Sequence, residues 1–156
     1  GLYGVNPWPD GDWTAAPAAT LSAPIVALRT VSPGDVVSYG GTWQAHAPRT
    51  IATVAIGYAD GLPRAAGNAF AARVNGASAP IAGVVTMDMT MLDVTDAPCA
   101  VGDEAVFVGP GAASVAALAA AAQRSPYEVL TGLHARAARV VAPFAAEAPA
   151  LAGAAA

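Results

Sequence analysis

A chain of 156 residues is long enough for one ordinary domain with its own core, and a net charge of −4 with only 12% charged residues gives it no strong electrostatic partner surface. Its basic residues are Arg29, Arg49, Arg64, Arg73, Arg124, Arg136 and Arg139, scattered singly, which excludes the basic stripe of a nucleic-acid binder and the basic amphipathic segment of a membrane-surface helix. These seven are the whole Lys+Arg count of 7, so the chain contains no lysine.

Hydrophobic residues make up 55%, but Ala supplies a large share and buries little area, so the core is thinner than that figure suggests. Cys99 is the single cysteine, which excludes an intrachain disulfide and a cysteine-based metal site; it reads as a loop or core residue. A reducing cytosol suits such a chain. No run reaches the roughly 18 apolar residues of a membrane span. The opening Gly1-Leu2-Tyr3-Gly4 has neither the basic nor the apolar region of a signal peptide.

In chain order, residues 1–19, with Pro7, Pro9 and Pro17, read as an irregular connector. Thr20 to Val31 turns apolar and β-branched and predicts a strand, closed by the turn Ser32-Pro33-Gly34-Asp35. A second strand starts at Val36-Val37-Ser38-Tyr39 and breaks at Gly40-Gly41. Thr50 to Ile56 predicts a strand with at least one buried face, ending in the tight loop Gly57-Tyr58-Ala59-Asp60-Gly61. Asn75-Gly76 between two short strand-like runs, Phe70 to Ile81, is a hairpin signal. Val84 to Val94 is apolar with Asp88 and Asp93 set into it, and Val85, Met87 and Met89 alternate as on a buried strand face. Ala105 to Val108 reads as another strand. Ser114 is a candidate N-cap for a helix over Ala116 to Gln123, a further helical turn follows Pro126, and Arg139 to Val141 reads as a final strand. The tail from Ala145 frays. Many short strands and few helices predict a mainly β fold, a small barrel-like or sandwich-like domain with one or two short helices near its C-terminus. Pattern alone gives no function.

Four segments carry a resemblance. Gly1-Leu2-Tyr3-Gly4 looks like the end of an Arg-Pro-Gly-x-x-Leu-Tyr-Gly motif, so the chain reads as starting inside it. Ser38-Tyr39-Gly40 with Thr42-Trp43, then Arg49 to Arg64, resembles a segment ending Ile-Gly-Tyr-Ala-Asp-Gly-x-Pro-Arg. Residues Ala79 to Met89 resemble Ala-Pro-Ile-x-Gly-Arg-Val-Ser-Met-Asp-Met, and Tyr127 to Gly132 resembles Tyr-Glu-x-Leu-Thr-Gly. Together they are similar to alanine racemase, over nearly the whole chain except the tail.

That resemblance implies a mainly β C-terminal domain at 20–144, a connector at 1–19 from a (β/α)8 barrel that this chain lacks, and a disordered tail at 145–156. It implies an isomerase interconverting L- and D-alanine for cell-wall synthesis in the bacterial cytoplasm. The cofactor would be pyridoxal 5'-phosphate held by the barrel's lysine, and two copies would pack head to tail and share their active sites. Tyr58 would be the catalytic acid–base residue, Met87 would bind substrate through its backbone, and Tyr127 would bind the cofactor phosphate at the entrance. Racemisation removes a proton from one face of Cα and returns one to the other, so two groups must flank the cofactor; the lysine and the tyrosine fill those places. Free tyrosine titrates near pH 10, so such a group needs cationic or hydrogen-bonding neighbours. Without a lysine, this chain alone is expected to be inactive. Val84 departs from the usual arginine of Gly-Arg-Val, and Gly41 stands where another residue is common.

Read without the resemblance, Tyr58 is a loop tyrosine, Met87 a core residue, Tyr127 a helix-start packing residue, and His46 and His134 surface or loop histidines. No spacing of carboxylates, His or Cys suggests a metal site. Two other functions stay open: a non-catalytic β-module for dimerisation or docking, and a racemase for serine or a broader set of amino acids.

Overall fold

The computed structural model describes residues 5, 17–133, 136–138, 140 and 141. Most of the 1–19 connector, the 145–156 tail, His134 and Arg139 lie outside them.

Most of the predicted strands form, with shifted ends. β1 is Leu21–Val31, β2 Val36–Val37, β3 Trp43–Gln44, β4 Arg49–Val54, β5 Ala71–Val74, β6 Ala77–Pro80, β7 Thr90–Asp93 and β8 Glu104–Val108. Six make one antiparallel sheet in the order β6-β5-β8-β1-β4-β7, and β2 pairs with β3 in a separate ribbon. The outer strands of the large sheet approach one another: Ile81, just past β6, bridges Leu92 of β7, and the Ala82 N–H donates to Met91 O at 2.8 Å. The sheet is thus nearly closed into a barrel, which leaves little free edge.

β1 makes this curvature. Its first half, Leu21 to Pro24, pairs with β8; its second half, to Val31, pairs with β4. The switch falls at Pro24 and at a register shift between Ile25 and Ala27. Proline has no N–H to give to a ladder, and a bulge bends and twists its strand, so both belong where a strand changes partners. Burial in β1 alternates strictly up to the bulge, as a half-buried strand requires.

The main core gathers Ile25, Val54, Leu62, Val74, Leu92 and Phe107 inside the barrel, and Leu118 and Val129 cover one end. A smaller cluster of Val31, Val37, Ala45, Ile51 and Ala82 sits with the β2–β3 ribbon. Asn75 and Gly76, both at positive φ, make the β5–β6 turn as expected.

The helices are α1, Val115–Ala121, and α2, Pro126–Thr131. Ser114 caps α1 by accepting from the Ala117 N–H at 3.1 Å. α1 stops short of the expected Gln123, which turns left-handed at φ 54°. Ser125 and Glu128 form a capping box on α2, with Pro126 in the first turn, where its missing N–H costs nothing.

Three expectations need correction. Tyr39 is not in a strand: β2 ends at Val37, and Tyr39–Gly41 form a 3₁₀ turn entered through Ser38 at φ 67°. Residues 84–89 are not a strand; only Thr90–Asp93 pair, with β4. The alternation of Val85, Met87 and Met89 therefore does not mark a buried face: Val85 is buried, but both methionines are largely exposed. At the C-terminal end, Val140 and Val141 are exposed and lie in no strand.

Candidate active site

The loop at 57–61 begins where β4 leaves the sheet. The buried hydroxyl of Thr90 donates to Ile56 O at 2.7 Å and fixes the chain one residue before the loop. Tyr58–Asp60 then form a 3₁₀ turn, closed by Asp60 Oδ2 accepting from the Gly57 N–H at 2.9 Å. Both flanking glycines are required by space. A Cβ on Gly57 would lie 2.2 Å from Met87 O, and one on Gly61 would lie 2.4 Å from Gly132 O. Gly61 also takes φ +108°, a conformation glycine adopts readily and other residues do not.

The turn is therefore held between two other segments. On one side, the Tyr58 N–H donates to Thr86 O at 2.9 Å and the Ala59 N–H to Met87 O at 3.0 Å. Residues 86–89 fold into their own turn, in which the Thr86 hydroxyl donates to Met89 O at 2.8 Å and accepts from the Met89 N–H at 3.2 Å. The other side is the C-terminal end of α2, the helix whose first turn carries Tyr127.

The fold so brings together three segments far apart in sequence, each bearing one expected site residue. Tyr58, Met87 and Tyr127 are 40%, 53% and 51% exposed, and neither tyrosine hydroxyl has a hydrogen-bond partner among the described residues. The side chain of Met87 is outside the core, and its N–H has no acceptor among the described residues. Beside Tyr58 an open hollow is lined by Leu62, Pro63, Arg64, Arg124 and Glu128. Arg124 pairs with Glu128 at 3.4 Å, one helical turn away.

Sequence reasoning passed over Arg136. Its Nε lies 3.3 Å from Asp60 Oδ1 and its Nη2 lies 2.7 Å from Asp88 Oδ1. The Asp88 hydrogen bond, then the Asp60 charge, raise the guanidinium above its ordinary value, so it is a permanent cation. No local motif marks this pairing, which spans 48 residues to Asp88. Thr90 was also missed, because a threonine at a strand start is unremarkable until its burial is known.

The other candidates stay apart from chemistry. His46 is exposed. Asp93 accepts from the Thr95 hydroxyl at 2.6 Å and lies 3.7 Å from Arg49. Burial, then the nearby Asp103, push the Cys99 thiol above its ordinary value. Among the described residues no three His, Cys, Asp or Glu side chains cluster as metal ligands, and no helix is long and apolar enough to cross a membrane.

The family profile described as "Alanine racemase, C-terminal domain" matches residues 18–141. The chain belongs to that family. It is 47% identical over 141 residues to an alanine racemase of Acidiphilium cryptum, an alignment covering 90% of this chain and 39% of that protein. It is 45% identical to one from Sorangium cellulosum, covering 86% and 38%. The fold matches the crystal structure of a biosynthetic alanine racemase from Pseudomonas aeruginosa with a TM-score of 0.80 and 40% identity, over 86% of this chain and 38% of that one. It also matches an alanine racemase from Bartonella henselae with covalently bound pyridoxal phosphate, with a TM-score of 0.83 and 31% identity, over 89% and 39%. The chain thus spans about two-fifths of the length of these alanine racemases.

The donor set gives a direct test of cofactor fit. The chain has no lysine amine, so it cannot hold pyridoxal phosphate covalently. It does present, on neighbouring segments, two exposed phenols and a backbone N–H that have no hydrogen-bond partner among the described residues. These groups fit contact with a cofactor and substrate held by another polypeptide segment.

Proposed function

We propose that this domain supplies the tyrosine acid–base group of a pyridoxal-phosphate-dependent alanine racemase, an isomerase interconverting L- and D-alanine. The observation that carries the reading is the Tyr58 turn, wedged by Gly57 and Gly61 between the Met87 turn and the end of α2, with its phenol exposed and without a hydrogen-bond partner among the described residues. A glycine-framed loop with so little slack is a means of fixing one side chain's position, and position is what proton transfer demands.

Pyridoxal phosphate, when bound, delocalises the negative charge left as the α-proton departs. Tyr58 takes or gives that proton at its phenolic oxygen on one face. The opposite face needs a second group, a lysine outside this chain. The Met87 N–H would donate to the substrate carboxylate, and the Tyr127 hydroxyl would help hold the cofactor phosphate. A head-to-tail homodimer in the bacterial cytoplasm brings these groups to the barrel of the partner subunit, and exposed Tyr39, Met87, Met89 and Tyr127 are the apolar groups such packing covers.

The test uses the full-length racemase that contains this domain. Tyr58→Phe removes the proton but keeps the ring. Turnover is expected to fall by about 10²- to 10⁴-fold while the absorbance of bound cofactor persists. Unchanged turnover would refute the assignment.

A further inference from the structure

We propose that Arg136 is a positioning residue that fixes the Tyr58 turn against the Met87 turn by bridging Asp60 and Asp88. The inference rests on the racemase reading for its consequence, but its geometry stands apart from that reading.

The two turns are joined by two backbone hydrogen bonds, from Tyr58 to Thr86 and from Ala59 to Met87. Both lie at the rim of an exposed surface, where water competes for backbone groups. Arg136 adds a cross-tie from a third segment. Its Nε faces Asp60 Oδ1 at 3.3 Å, and its Nη2 faces Asp88 Oδ1 at 2.7 Å. The remaining Asp60 oxygen accepts from the Gly57 N–H, so one chain of contacts runs from Gly57 through Asp60 and Arg136 to Asp88. Asp88 directly follows Met87, and Asp60 ends the turn that Tyr58 begins.

An ordinary surface ion pair adds little to stability. This one differs in arrangement. The Asp60 side chain is only 14% exposed, and a single guanidinium hydrogen-bonds Asp88 while its charge faces Asp60. Lysine offers a compact point charge and lacks the planar guanidinium that reaches both carboxylates at once. Without the cation, two carboxylates face each other across the seam between the turns, and their repulsion opens it. The cost falls on alignment of the Tyr58 phenol with the Met87 N–H rather than on the fold.

The experiment compares the full-length protein with Arg136→Ala, Arg136→Lys, Asp88→Asn and the double variant Arg136→Ala/Asp88→Asn. Residue-resolved hydrogen exchange reads the Tyr58 and Ala59 amides, and steady-state racemisation reads kcat and KM for alanine. Arg136→Ala is expected to speed exchange at these two amides about tenfold, with the β4 amides unchanged. It is expected to lower kcat by about ten- to a hundredfold, with KM moving less than about threefold. Arg136→Lys recovers part of the loss, and adding Asp88→Asn to Arg136→Ala also recovers part of it, because it removes the repulsion between the two carboxylates. Unchanged exchange at Tyr58 and Ala59 overturns the proposal, as does faster exchange with full kcat. If the parent protein does not racemise alanine at all, the racemase reading falls, and the exchange measurement by itself still upholds or overturns the cross-tie.

Discussion

Gly57→Ala separates steric from conformational demands in the candidate site. Gly57 has φ −144°, an extended conformation open to any residue, so alanine meets no backbone strain there. Its Cβ would instead lie 2.2 Å from Met87 O, 2.4 Å from Met87 C and 2.4 Å from Thr86 O. These are backbone atoms of a closed turn and cannot swing aside as a side-chain end could. Ordinary contact therefore requires the two segments to move apart by about 1 Å. That displacement breaks the Tyr58–Thr86 and Ala59–Met87 hydrogen bonds, each worth about 0.5–1.5 kcal/mol, and adds an overpacking cost of about 1–3 kcal/mol. The expected loss is about 2–6 kcal/mol. Gly76→Ala is the matched control: it has φ +81° but nothing within 4 Å of its Cβ, so it carries conformational strain alone, about 1 kcal/mol. Urea denaturation of both variants, followed by far-ultraviolet circular dichroism, measures the two losses side by side. A Gly57→Ala loss no larger than that of Gly76→Ala would refute the close-approach argument.

Two further outcomes follow from buried or hydrogen-bonded polar groups. Thr90→Val keeps the side chain's shape but leaves the Ile56 carbonyl without its 2.7 Å donor, so it should cost about 1–3 kcal/mol, whereas Thr90→Ser should retain most of the stability in the same urea titration; a valine variant as stable as the parent would contradict this. Asp103 is held below its ordinary value of 3.8 by the Ala100 N–H and then by the Asn75 amide. Its folded value is the lower one, so its contribution is complete above 3.8 and is lost as pH falls through that lower folded value. Asp103→Asn should therefore have a lower urea midpoint than the parent at neutral pH, and the gap should close in acid; an equal gap at both pH values would show that the carboxylate's charge is not involved.

Much of this domain is legible locally. The apolar, β-branched run at Thr20 to Val31, the apolar and small residues of Thr50 to Ile56, Asn75-Gly76, Ser114 ahead of helix formers and the helical turn after Pro126 each act over a few residues, and each marks a strand, turn or helix of the structure. The reading failed at residues 84–89, where apolar alternation normally signals a half-buried strand. There the Thr86 side chain closes a turn on Met89, and Met87 turns outward, because the segment is shaped by the 57–61 loop packed against it and not by its own period. The same holds at Tyr39, where Ser38 at φ 67° ends the strand through its contact with residues 83–84: its hydroxyl donates to Val84 O at 2.8 Å.

The motif around Tyr58 identified a loop and, through resemblance, a chemistry; it could not say why that loop is rigid. The sequence alone determined the β class, most element positions, the absence of lysine and the three residues worth examining. Tertiary structure decided that these three lie on neighbouring segments, that Gly57 and Gly61 are glycines for want of space, and that Arg136 ties the segments together. The physical reason is range: strand period, turn chemistry and capping are set by neighbours in sequence, whereas a backbone approach that leaves no room for a Cβ on Gly57, or a guanidinium shared by two distant carboxylates, exists only once the barrel has nearly closed.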